Sequence, residues 1–231
     1  MVDYRKTTAI AAIAALALLP SAACSSDDDS DTSTTSSTSA SSSAAAATSA
    51  VATPVAQIDG LTGRTTAVAL DKGFTDALST LGLTPGVLGS ATLADGSVVF
   101  PITGGDVKYY TPGTVNPYVQ GNIKHTGSGL SLTAGSTTVE LTDFDIDPGT
   151  SVLYGDVKVN GAPAATHALL FNLDGSTLQP LQNGPENTAV LQGTRVLVSG
   201  DAAALLNKTF NTDAVKSGLL VGTATITLNT K

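Results

Sequence analysis

The chain reads as a mainly β protein, an antiparallel β-sandwich or barrel-like sheet pair with two short helices. Three observations predict this class. Apolar and polar residues alternate through most of the chain beyond residue 54, turn signals recur at short intervals, and only two segments space their apolar residues as a helix does. "GSVVFPI" (96–102) and "GDVKYY" (105–110) are the first strands by this criterion. In "YVQGNIKHTGSGLSLTAG" (118–135), Val119, Ile123, Leu130 and Leu132 supply the apolar positions, and Gly127–Gly129 is expected to turn the chain. "STTVELTDFDID" (136–147) sets Val139, Leu141, Phe144 and Ile146 against Glu140, Thr142, Asp143 and Asp145. The alternation changes phase at Thr142–Asp143, which predicts a β-bulge. "SVLYGDVKVN" (151–160) and "LLVGTATITLN" (219–229) alternate as well. Turns are expected at Asp95-Gly96, Pro148-Gly149, Asn160-Gly161 and Asp174-Gly175.

The helical spacings are in "LDKGFTDALSTLG" (70–82) and "SGDAAALLNKTFN" (199–211). The first places Phe74, Ala77, Leu78 and Leu81 on one face, with Asp71 as cap and Gly82 as stop. The second opens on Asp201 and would bury Leu205, Leu206 and Phe210. Each helix is expected to plug an end of the sheet or cover an edge.

Ahead of this domain stand two segments of different composition. Residues 1–23 run from basic Arg5 and Lys6 through apolar Ala9–Leu19 to small Ser21, Ala22 and Ala23, the layout of a secretory signal. The apolar run is shorter than the roughly 20 residues of a membrane-spanning helix. Cys24, the single cysteine, follows at once, and this boundary resembles the bacterial lipoprotein lipobox, with Ser21 where leucine is usual. The resemblance implies palmitate-type acyl chains on Cys24 and a protein anchored on the extracytoplasmic face of a bacterial cell membrane, stably so if more than one chain is attached. Residues 24–53 are almost all Ser, Thr, Ala and Asp, too polar to offset the entropy of ordering, and are expected to form a disordered tether. Residues 54–231 then form one β-rich domain, which contains no cysteine and so no disulfide.

The formal net charge is −8 and the basic residues are scattered, so nucleic acid is excluded as an expected partner. There is no tryptophan, no G-x-S-x-G elbow and no G-x-G-x-x-G loop, and the two histidines, His125 and His167, stand far apart. No catalytic residue is assigned. Three aspartates at alternate positions, Asp143, Asp145 and Asp147, share one face of an extended chain and are calcium candidates. Same-face strand residues lie ~7 Å apart, too far for one ion unless the chain bends at Pro148-Gly149.

The order of helix, "FP" strand, "GNIKHTGSGLSL", "VELTDFDID", "AAALLN" helix and final strand is similar to a family of uncharacterised secreted bacterial domains. It is more distantly similar to the HtaA-type surface domains that bind haemin. That resemblance implies a β-rich, envelope-tethered domain and makes haem a candidate cofactor. In that family a tyrosine follows the helix phenylalanine by three positions, and a histidine follows the Thr-Gly of the strand turn. Here those positions hold Ala77 and Ser128. Candidate ligand-binding residues that remain are His125, on the face of Ile123, and Tyr109 and Tyr110, which as neighbours on a strand face opposite sides.

Together these readings describe a lipid-anchored, non-enzymatic module, either structural or binding an envelope component. The alternatives are a carrier of an apolar ligand, haem or lipid, and a hydrolase with an unrecognised site at His125 or His167. An internal cavity favours the carrier, and a fully packed interior favours the surface module.

Overall fold

The computed structural model describes residues 52–230, so the signal, Cys24 and the tether as far as residue 51 lie outside the described residues. The elements are β1 (Ala56–Ile58), β2 (Arg64–Leu70), α1 (Lys72–Thr80), β3 (Thr84–Gly89), β4 (Thr92–Ala94), β5 (Ser97–Pro101) and β6 (Gly104–Tyr109). They continue with β7 (Val119–Ala134), β8 (Thr137–Asp147), β9 (Val152–Val159), β10 (Ala162–Asp174), β11 (Gln182–Gly184), β12 (Thr188–Val198), α2 (Gly200–Phe210) and β13 (Leu220–Asn229). The fold is mainly β, and every pairing between these strands is antiparallel.

Of the two architectures expected, the strands build the barrel-like one. They belong to a single sheet in the order β1-β6-β7-β8-β9-β10-β12-β13-β2-β5-β4. β5 and β6 are nearly one strand, yet β5 pairs with β2 and β6 pairs with β7. The crossing is made by two residues. Ile102 N–H donates to the Arg64 carbonyl at 2.7 Å, and Thr103 N–H donates to the Lys124 carbonyl at 2.8 Å. The continuous chain thereby links strands near opposite ends of the sheet order, and the sheet curls into a half-barrel in which β2 and β5 face β7 and β8. The alternation read from the sequence now has its cause: one face of each strand looks into this curl. Val98, Phe100, Ile123, Val139, Leu141, Phe144, Ile146 and Val157 are all buried there.

The curl needs close backbone approach where β6 meets β7. Gly105 and Gly121 have φ of 116° and 120°, and a Cβ on either would run into a carbonyl oxygen of the neighbouring strand, that of Asn122 or of Asp106. Only glycine fits there.

Gly127–Gly129 does not turn the chain as expected. β7 runs through it for 16 residues, and the register against β8 slips between His125 and Gly129. The glycines accommodate a bulge inside a long, strongly bent strand rather than a hairpin end. The bulge expected at Thr142–Asp143 is present: Asp143 has φ of 55° and the β8–β9 register shifts between Thr142 and Asp145.

Helix α1 begins at Asp71, whose carboxylate accepts from Gly73 N–H at 2.8 Å, and it is followed by Gly82 at φ 66°. In α2 the cap is Ser199 rather than Asp201. Its hydroxyl accepts from Ala202 N–H at 3.0 Å and donates to the Leu169 carbonyl at 2.7 Å, while Asp201 occupies the first turn. A serine has the shorter side chain and is fully buried here, so it can cap the helix and bind β10 together. α1 packs on β13 and β3, and α2 on β10 and β8.

Candidate functional site

Inside the curl lies an apolar cavity of about 130 Å³. Thr66 and Val68 of β2, Phe100 of β5, His125 of β7, Phe144 of β8 and Ala224 of β13 are among its walls. Their rings form a run of edge contacts: His125 meets Phe100 at 6.2 Å, Phe100 meets Phe144 at 5.3 Å, and Phe144 meets Phe171 at 6.4 Å between centroids. Pro117, Tyr118, Pro148, Ser151, Gly175 and Leu178, from the β6–β7, β8–β9 and β10–β11 loops, also line the cavity. A second apolar cavity, about 250 Å³, lies where Phe74 of α1, Val87 of β3, Leu93 of β4 and Leu206 of α2 meet the sheet. Val87 is 40% and Leu93 64% exposed, so this space opens toward solvent. Leu70, Val98, Leu130, Phe171 and Val221 line both cavities and form the layer between them.

His125 points inward with Ile123, as strand alternation requires, and is 1% exposed. Its Nε2 lies 2.8 Å from Thr66 Oγ1 across the barrel. Its Nδ1 is buried with no hydrogen-bond partner. Burial disfavours the imidazolium and lowers the pKa to about 4, although the nearby backbone of Phe144 and Ile123 favours the cation and offsets part of the shift. Those backbone groups do not reach Nδ1 in hydrogen-bond geometry. The ring is therefore neutral at physiological pH.

The other candidates are placed elsewhere. Tyr109 is buried outside the cavity wall, packed edge-on against Tyr118 at 5.6 Å and accepting from Leu181 N–H at 3.4 Å. Tyr110 is half-buried, its N–H donating to the Tyr118 carbonyl at 2.7 Å. Tyr118 was not a candidate on sequence, yet it lines the cavity. Burial, with Tyr109 close by, raises its pKa and keeps it a phenol. His167 is exposed, at φ 47°, with its ring stacked on Tyr154 at 4.4 Å.

Each of the three aspartates has a local partner. Asp143 accepts from Gly127 N–H at 2.9 Å and holds the β7 bulge, Asp145 accepts from the Asn122 amide, and Asp147 accepts from Thr150 N–H at 3.0 Å in the turn to β9. Among the described residues no three His, Cys, Asp or Glu side chains gather as a metal site would need. Ala77 lies on α1, and the Ser128 hydroxyl is buried, donating to the His125 carbonyl at 2.9 Å.

Thr66 was missed although a signal existed. In "RTTAVAL", Thr66, Val68 and Leu70 alternate with Thr65, Ala67 and Ala69, which places Thr66 on the inward face. What alternation could not supply is its meeting with His125, 59 residues away.

No family model matches the chain, and no curated protein matches it. Among solved structures it is similar to the C-terminal domain of HtaA from Corynebacterium glutamicum, at 12% identity and a TM-score of 0.49, over 73% of this chain and 97% of that one. It is also similar to the heme binding protein HtaB from Corynebacterium glutamicum, at 11% identity and a TM-score of 0.47, over 76% of this chain and 96% of that one.

Proposed function

We propose that the domain is a non-enzymatic binding module that lodges a small, largely apolar molecule inside its barrel, held outside a bacterial membrane by acyl chains on Cys24. The observation that carries the reading is the apolar cavity around His125. Interiors are close-packed, and empty apolar space forfeits dispersion contacts, so a purely structural module gains nothing from it. A ligand that fills such space recovers those contacts and is shielded from water. The anchor is supported by the sequence around Cys24 and by the Ser/Thr/Asp composition that follows it.

Haem is the alternative that the HtaA-type resemblance implies, and the residues present do not fit it. The cavity at His125, about 130 Å³, is near the ~150 Å³ of an apolar cavity that holds benzene and below the ~300–1,000 Å³ of drug-sized pockets. A tetrapyrrole does not enter it. The larger cavity is lined by no His, Tyr, Cys or Met, the side chains that bind haem iron. No chemistry is therefore assigned to haem here.

Intact-mass analysis of membrane-extracted protein under native conditions, combined with haemin titration, tests the reading. The expected result is an acylated chain that retains a small apolar ligand and gives no Soret band. A Soret band lost in His125→Ala would transfer the site to haem. Failure to retain any apolar molecule, with no thermal shift on adding small hydrocarbons, would return the domain to a structural role.

A further inference from the structure

We infer that the larger cavity, under the two helices, is a second binding site that takes the hydrocarbon chain of a monomeric single-chain amphiphile, tail inward and head group in water. It is separate from the cavity at His125, and the inference does not rest on the carrier reading given for that cavity.

The space exists partly because two of its walls are small: Ala202 on α2 and Gly86 on β3 offer little or no side chain to fill it. Exposure falls along the walls from 64% at Leu93 and 40% at Val87 to 5% at Leu141 and 3% at Val198. The cavity therefore has a wet end and a dry end. None of its lining residues is ionisable, and Ser131 carries the one polar side chain among them. A charged or zwitterionic head group finds no partner in such walls and would lose its hydration if drawn in. A methylene chain behaves oppositely. It leaves water, and it supplies the dispersion contacts that the empty space forfeits. Its upper carbons also cover Leu93 and Val87, two of the large apolar side chains left in solvent.

Size narrows the ligand further. An apolar cavity of ~150 Å³ holds the six carbons of benzene, so about 250 Å³ corresponds to about ten carbons. That is one chain of medium length. The two chains of a bilayer lipid exceed it, which is why the ligand is a free amphiphile rather than a membrane.

The test is a homologous series. n-Alkylphosphocholines of about six to fourteen carbons, below their micelle concentrations, are titrated calorimetrically into the full chain carrying Cys24→Ser, which has no acyl chains of its own and needs no detergent. Affinity is expected to rise about fourfold per methylene and to level off near ten carbons. n-Alkyl sulfates should follow the same profile, since no charge in the walls reads the head group. Ala202→Leu adds three carbons to one wall, so the plateau should come about three carbons earlier and ten-carbon chains should bind at least ~10-fold more weakly. Ala224→Ile, in the other cavity, should leave the series unchanged. A nitroxide probe needs no variant to fold: at the tail end it should broaden the methyl signals of Val198 and Leu141, and at the head those of Leu93 and Val87.

No binding at any length, a rise without a plateau, or a head label that broadens Val198 overturns the inference. A series shortened by Ala224→Ile and not by Ala202→Leu places the chain in the cavity at His125, which overturns the inference and supports the carrier reading. Co-sedimentation with phosphatidylcholine vesicles that free amphiphile does not compete away assigns Leu93 and Val87 to membrane contact, and overturns it too.

Discussion

His125 is the residue whose chemistry is most altered by its surroundings, and this predicts a pH dependence. In the unfolded chain it takes a proton near its ordinary 6.5, whereas in the barrel it does so at about 4. Between those values the unfolded state holds more protons. Stability contributed by the neutral ring is thus complete above pH ~6.5 and is lost as pH falls toward 4. Below 4 both states are protonated and the loss stops growing. The full difference corresponds to about 3 kcal/mol as an upper bound. Urea unfolding of the wild type and His125→Gln across pH 4–7 measures it, and the variant should lack the decline between 6.5 and 5. Parallel curves would mean that the ring is not held neutral by burial. The aspartates belong to the same scale. Asp143 props the β7 bulge that carries the backbone past His125, and because Gly127 N–H is exposed, water replaces the lost acceptor in Asp143→Ala, which should cost about 0.5–1 kcal/mol by chemical denaturation.

Among the elements, α2 and the β6–β7 pair are the most sensitive. Ser199 both caps α2 and binds the Leu169 carbonyl, so it ties the helix to β10. Ser199→Ala should lose about 2 kcal/mol, at the upper end for a cap, because both bonds go at once. Chemical denaturation gives the number, and Ser199→Thr should recover part of it. Gly121→Ala tests the close approach of β6 and β7. Its φ and the Asp106 carbonyl both oppose a Cβ, and a loss of more than ~2 kcal/mol is expected, against almost none for Gly161→Ala's space alone, where the turn has no neighbour within 4 Å and only the φ of 79° is adverse.

At the scale of the whole molecule, the empty interior and the stability of the fold should trade against each other. Ala224 faces the cavity from β13 and is 4% exposed. Ala224→Ile places three more carbons in that space. It should weaken binding of a small apolar probe at least ~10-fold while leaving the apo protein as stable or about 1 kcal/mol more so. Binding retained at wild-type strength would show that the ligand sits elsewhere, the larger cavity under the helices being the next place to look. Ligand binding should also raise the melting temperature in proportion to the logarithm of its concentration above Kd. Cellular fractionation addresses the anchor: Cys24→Ser should move the protein from membrane to soluble fraction.

Period-two alternation, turn dipeptides and two stretches of helical spacing were enough to identify the β class, the bulge at Asp143, both helices and the strand face that His125 shares with Ile123. These are local properties, set by the geometry of a few consecutive residues. Gly127–Gly129 could not be read the same way, since glycine serves a turn and a bulge equally and only the partner strand decides between them. Nor could the choice between sandwich and barrel, which depends on Ile102 and Thr103 bonding to strands 38 residues before and 21 residues after them in sequence. The amino-acid order thus determined which side chains face inward. Tertiary structure alone decided which of them meet, because the pairing of Thr66 with His125 and the space beside it arise from curling one sheet on itself, and no local pattern encodes that closure.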